Sequence, residues 1–178
     1  LSRGCHVERS DFFHAEISSG GVAVRRRGWK TPGHACIWGV MHSFPVRVYY
    51  EDTDAGGVVY YASYLRFLER ARTEWLRNAG FEQQKIIDEQ QLVFVVKRIE
   101  ADYHAPGRLD DELRVEVAVD KLGNASLVFA QRVLRGSTVL LDARVTVVCV
   151  DIRRMKPAPI PAPMREKLEE PLKAAEST

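Results

Sequence analysis

The sequence predicts one α+β domain in which a curved antiparallel sheet wraps a single long central helix. Three observations carry that reading. A short alternating strand follows Met41, a helix whose apolar residues spread around much of its circumference spans about residues 62–79, and alternating segments parted by glycine turns fill the rest. A helix so widely apolar needs a sheet wrapped around it, and antiparallel hairpins can supply one. With 178 residues, 46% of them hydrophobic, the chain can bury one proper core and is short for two.

The first strand is Phe44–Tyr50, where Phe44, Val46, Val48 and Tyr50 alternate with Pro45, Arg47 and Tyr49. Asp52-Thr-Asp-Ala-Gly-Gly57 then interrupts the regularity. In the long helix Tyr64, Phe67, Ala71 and Trp75 form a stripe that Leu65, Leu68 and Leu76 widen. Arg66, Glu69, Arg70, Glu74 and Arg77 take the other face, with Arg70–Glu74 at the spacing of an ion pair. Gly80 suits a left-handed helix stop, and a shorter helix is expected near Glu82–Glu89. Strands are expected at Leu92–Tyr103, from Leu113 to Val119, at Ser126–Leu134 and at Val139–Val150, with turns at Ala105–Asp111, Gly123-Asn124 and Gly136-Ser137. Pro157, Pro159, Pro161 and Pro163 should end the sheet before a charged helix, Met164–Lys173.

Residues 1–40 lack a period of either kind and read as an unstructured extension or a misassigned start, leaving 41–173 as the domain and 174–178 as a tail. The basic excess belongs to that leader: Arg3, Arg9, Arg25, Arg26, Arg27 and Lys30 are set against only Glu8, Asp11 and Glu16. The remainder is near neutral, which argues against a nucleic-acid partner. No apolar run is long enough to span a membrane. Cys5, Cys36 and Cys149 include no CxxC pair and read as free thiols of a reducing, cytoplasmic compartment.

Several chemistries are absent as motifs: no GxSxG elbow, no phosphate-binding glycine loop and no His/Cys ligand spacing for zinc. Cys149 lies in the apolar run VTVVCV and reads as core. The carboxylates Glu51, Asp52 and Asp54 remain, gathered between a strand and a helix start beside Gly56 and Gly57. Glycines let a backbone approach a ligand closely, and a helix start offers free N–H groups and a positive dipole end. A carboxylate there can attack or deprotonate water while the amides hold an oxyanion. The same aspartates can equally cap a helix or shape a turn. A DxD beside glycines suits Mg²⁺ as well, but no second cluster of oxygen ligands is evident, so no metal or cofactor is expected.

The segment FPVRVYYEDTDAGGVVYYASYLRFLERARTEWLRNAGF resembles the signature of the 4-hydroxybenzoyl-CoA thioesterase superfamily, and is most similar to its bacterial branch of tol–pal system-associated acyl-CoA thioesterases. The likeness continues through LVFVVKRIEADYHAPGRLDDELRV, SLVFAQRV and VTVVCVDIRRMKPAPIP, covering residue 44 to about 163. It implies the hotdog fold, a homodimer or homotetramer with active sites at the dimer interface, and hydrolysis of acyl-CoA to a carboxylic acid and CoA. The family's nucleophile or general base, the second aspartate of DxDxxG, matches Asp54, and its carbonyl-polarising backbone amide matches Tyr61. Many members of the branch carry His at that position, so a side-chain imidazole has no counterpart here. Arg153, Arg154 and Lys156 are candidates for the CoA phosphates, with Gly56 and Gly57 lining the substrate. Two rivals stand beside this reading. One is a non-hydrolytic module binding acyl carrier protein or an envelope-lipid partner; the other is a hotdog dehydratase, which needs a histidine absent from the helix entry.

Overall fold

The computed structural model describes residues 42–176. The expected extension at 1–40 lies outside the described residues, as does the end of the expected tail. The elements run β1 (His42–Arg47), α1 (Ser63–Asn78), α2 (Gln83–Gln90), β2 (Leu92–Tyr103), β3 (Glu112–Leu122), β4 (Ser126–Arg135), β5 (Thr138–Asp151), β6 (Lys156–Pro157) and α3 (Ala162–Glu176). The sheet is antiparallel in the order β1-β3-β4-β5-β2, with β6 added on β5.

Alternation decides which side of this sheet is wet. Leu113, Val115, Val117 and Val119 of β3, Leu127, Phe129 and Val133 of β4, and Leu141, Ala143, Val145, Val147 and Cys149 of β5 all turn inward and are buried. Against them lie Tyr64, Phe67, Leu68 and Ala71 of α1, the last three with no exposed surface. Truncating a buried phenylalanine such as Phe67 to alanine costs about 3–5 kcal/mol. Register shifts at Lys97 in β2, Asp120 in β3 and opposite the β4 step from Val133 to Leu134 interrupt the ladders. Bulges increase local twist, which is what a sheet needs to curl around one helix.

Four local expectations are corrected. β1 ends at Arg47, and the chain then turns through a short 3₁₀ segment at Tyr50–Asp52, so Tyr50 leaves the inward row and is exposed. Glu74 pairs with Arg77 rather than with Arg70. The proline segment does not end the sheet: Lys156-Pro157 pairs with Val150 and Asp151, and Ala158 and Ile160 are buried beyond it. α3 passes the expected end at Lys173 and reaches Glu176. Its Met164 and Leu168 are buried and close one end of the core.

α1 ends as the glycine suggested. Gly80 has φ +92°, with Gly80 N–H donating to Arg77 O (2.9 Å) and Phe81 N–H to Leu76 O (3.1 Å), the paired bonds of a Schellman stop. Between α1, α3 and the inner face lies a cavity of about 100 Å³ bounded by Trp75, Phe94, Phe129, Met164 and Leu168. Arg72 reaches its wall, donates to Gln131 Oε1 at 2.6 Å, and is pushed down to about 10 by burial.

Candidate active site

The segment between β1 and α1 folds as a small hairpin. Thr53 bridges Val59, Asp54 N–H donates to Val58 O (3.0 Å), Gly57 N–H donates to Asp54 O (3.0 Å), and Tyr60 N–H donates to Asp52 O (2.8 Å). Gly57 holds the corner at φ +70°, a left-handed conformation that costs glycine nothing. Asp54 therefore stands at the tip, and the tip is exposed. Its Oδ1 accepts the Gly56 N–H at 2.8 Å, and Oδ2 has no partner among the described residues. Gly56 is needed for a different reason from Gly57: a Cβ there would lie 3.0 Å from Asp54 Oδ1.

Asp52 faces the other way. It is 1% exposed, Oδ2 accepts the Tyr49 N–H (3.0 Å), and Oδ1 meets Arg66 Nη2 (3.2 Å). The same Arg66 reaches Ser63 Oγ (3.0 Å), so one guanidinium ties the hairpin to the first turn of α1. The two aspartates diverge and do not converge on one ion.

Tyr61 lies slightly earlier than expected. The helix starts at Ser63 with Ala62 as N-cap, and Ser63 N–H closes a turn onto Tyr60 O at 2.8 Å. The amides of Tyr61 and Ala62 have no acceptor among the described residues, and they sit at the positive end of α1. The Tyr61 ring is exposed beside Tyr60, with centroids 4.5 Å apart. The neighbouring Tyr61 side chain raises the Tyr60 hydroxyl above its ordinary range, with a smaller push from the negative charge of Asp54.

Three residues that the sequence did not single out hold this arrangement. Arg66 is one. Gly107 is the second: its carbonyl accepts the Val59 N–H (2.9 Å) and its own N–H donates to Tyr64 Oη (2.8 Å), clamping hairpin and helix together. Tyr103 is the third, its hydroxyl donating to Tyr61 O at 3.0 Å. The Ala105-Pro-Gly107 turn was a visible signal for a bend, but nothing local tied it to Asp54.

Arg153, Arg154 and Lys156 are exposed and lie elsewhere in the same chain. Tyr103, beside Tyr61, pairs with Leu141, whereas Asp151 pairs with Leu92 at the opposite end of the ladder. From Leu141 to Asp151 the strand runs about 30 Å at roughly 3.3 Å per residue. Asp151 accepts the Arg153 and Arg154 N–H groups (2.9 and 3.0 Å) and the Arg154 guanidinium (2.9 Å), which together hold its carboxyl below the usual range. Cys149 is buried, and burial raises its thiol, as befits a core residue.

The family model described as the thioesterase-like superfamily matches residues 48–168, a span that takes in the hairpin, the whole sheet from β2 onward and the start of α3. The chain belongs to the thioesterase-like superfamily. Among members of this superfamily it is 56% identical over 119 residues to an acyl-CoA thioesterase, YbgC, of Haemophilus influenzae, covering 67% of this chain and 88% of that protein. It is 52% identical to an acyl-CoA thioester hydrolase, YbgC, of Escherichia coli, covering 66% of this chain and 88% of that protein. Among solved structures, a probable thioesterase from Bartonella henselae matches with a TM-score of 0.66 and 34% identity, covering 68% of this chain and 100% of that one. The hotdog architecture of the superfamily is the fold of this chain.

Proposed function

We propose that this chain hydrolyses acyl-CoA thioesters to a carboxylic acid and free CoA, with Asp54 as the reacting carboxylate. The observation that supports this best is the exposed Asp54 carboxylate, with one oxygen held by Gly56 and the other unengaged, on a hairpin leading into two unengaged amides. In one route Asp54 attacks the carbonyl carbon, the C–S bond breaks, CoA leaves as thiolate, and water opens the acyl–aspartate anhydride. In the other, Asp54 takes a proton from the water that attacks. Either way the carbonyl oxygen becomes an oxyanion, which the Tyr61 and Ala62 amides stabilise; one such donor is worth about 10²–10³ in kcat. Gly56 and Gly57 leave room for substrate beside the carboxylate.

The site is completed in this reading by a second copy. β1 is a short edge with exposed Pro45, a poor partner for pairing. β2 is the long edge, and Val95, Val96, Ile99 and Tyr103 on it are 38–49% exposed. Pairing of β2 with itself must be antiparallel about a two-fold axis, which sets the Leu92 end of one copy beside the Tyr103 end of the other. Arg153, Arg154 and Lys156 then reach the neighbouring copy's Asp54, where they can hold the CoA phosphates. A dimer, or a tetramer of two dimers, is the working unit. Acyl carrier protein, which presents a thioester on the same pantetheine arm, is the protein-borne alternative substrate. Cytoplasmic residence and a place beside the tol–pal machinery belong to the same proposal, and the domain 41–173 carries the activity without residues 1–40.

A panel of acyl-CoA esters from acetyl to palmitoyl plus hydroxybenzoyl, read by thiol release, tests the reaction. Release of free CoA by the wild type and its loss in Asp54→Asn is the expected result; binding of acyl-CoA with no release by the wild type would leave a non-hydrolytic module instead. Sedimentation of Val96→Lys/Ile99→Lys should show monomers with little activity, and a fully active monomer would sink the shared site.

A further inference from the structure

We infer that Tyr103 is a positioning residue for the hydrolysis: its hydroxyl, by holding the Tyr61 carbonyl, sets the direction of the Ala62 amide as an oxyanion donor. The inference rests on the thioesterase reading above and adds a residue to it. Tyr103 Oη donates to Tyr61 O at 3.0 Å, across a sequence separation of 42 residues. The Tyr61 carbonyl and the Ala62 N–H belong to one planar peptide unit and point in opposite directions. Holding the oxygen therefore aims the N–H. That N–H has no acceptor among the described residues and stands at the N-cap of α1, where the helix dipole favours developing negative charge.

The anchor itself is rigid. Tyr103 is the last rung of β2, paired with Leu141, and the chain after it is fixed by His104 N–H to Leu140 O at 2.8 Å. Its ring packs edge-on against Tyr64 with centroids 5.7 Å apart, and Tyr64 is held in turn by the Gly107 N–H at 2.8 Å. Partial burial raises the Tyr103 hydroxyl above its ordinary range, so it stays protonated as a donor through neutral and mildly alkaline pH. The bond has little to do for stability. Tyr61 is exposed, and water can satisfy its carbonyl if the phenol is removed. Water satisfies the oxygen without fixing where the peptide points, and direction is what an oxyanion donor requires.

Tyr103→Phe removes the hydroxyl and keeps the ring on Tyr64. In the full-length protein it should lower kcat by about tenfold or more, with KM within about twofold and melting temperature unchanged, the pattern of an interaction made in the transition state. The direct readout is the infrared carbonyl stretch of the ketone analogue of hexanoyl-CoA, in which CH₂ replaces sulfur, bound to wild type and to Tyr103→Phe. The wild type should shift the band to lower wavenumber than the variant, because a better-aimed donor polarises the carbonyl more. Identical band positions together with an unchanged kcat would overturn the positioning role while leaving the thioesterase reading intact. Absence of thiol release by the wild type from every ester of the panel would overturn that reading, and this inference with it.

Discussion

Asp52 and Asp54 carry the same side chain two residues apart, and the fold gives them opposite tasks. Asp52 is buried, and both its oxygens are committed, one to the Tyr49 amide and one to Arg66. Asp54 is exposed and commits only one oxygen, to the Gly56 amide. A buried carboxylate with both oxygens engaged shapes a chain; an exposed one with an oxygen left over can meet a carbonyl carbon or a water proton. The difference teaches that chemistry here follows from what the surrounding backbone leaves unsatisfied, and residue type alone does not decide it.

The sharpest way to break this contrast is Asp54→Asn. Asparagine keeps the shape and the acceptor for Gly56 but can neither attack nor serve as a useful base, so kcat should fall at least about 100-fold with KM changed far less and the fold intact. Retention of more than a tenth of wild-type kcat in steady-state thiol release would remove Asp54 from the chemistry. Next comes Gly56→Ala, which sets a Cβ 3.0 Å from Asp54 Oδ1. Displacing the carboxylate by a fraction of an ångström should cost about tenfold in kcat, since roughly 1 Å of misplacement can cost 100-fold; unaltered kinetics would mean the carboxylate geometry is slack.

Asp52→Asn should invert the signature. Weakening the Arg66 contact at a buried carboxylate should cost about 1–3 kcal/mol in a denaturant melt, while kcat falls less than tenfold. Were Asp52→Asn inactive and Asp54→Asn active, the two tasks would be exchanged and the motif misaligned by two residues. Arg66→Gln removes the same contact from the other side and leaves the buried Asp52 carboxylate without its counter-charge, so it should cost at least as much stability, about 1–3 kcal/mol, with kcat within about twofold. Arg153→Ala supplies a matching control at the far end of the sheet: KM for acyl-CoA should rise several-fold, while a short acyl-pantetheine, which lacks the nucleotide phosphates, should be unaffected. Equal losses on both substrates would exclude the phosphate role.

Much of the architecture was legible because it is written in short-range periodicity. The period of 2 in β3, β4 and β5 located those strands within a residue or so at most of their ends, and the stripe Tyr64-Phe67-Ala71 located the buried face of α1. Gly80 marked the helix stop because only a left-handed corner closes it cheaply. The end of β1 escapes the pattern for an equally local reason. Alternation runs on through Tyr50, but the 3₁₀ turn at Tyr50–Asp52 is stabilised by the Asp52 carboxylate taking the Tyr49 amide, a capping bond that a hydrophobic pattern does not record.

By itself the sequence determined that a carboxylate-rich, glycine-cornered loop must lie between a strand and a helix start, since composition and spacing act over a few residues. It also determined that the helix needs a sheet on most sides, since apolar surface must be covered. Only the tertiary structure decided which aspartate faces water: residues two apart share a side in a strand, and the 3₁₀ turn followed by the hairpin breaks that rule. Only it brought Tyr103 onto Tyr61 and Gly107 onto both Val59 and Tyr64, and only it sent Arg153 to the opposite end of the ladder. Those placements depend on registers and bulges between strands far apart in the chain. A one-residue change of register would move each of them, yet no local signal states it.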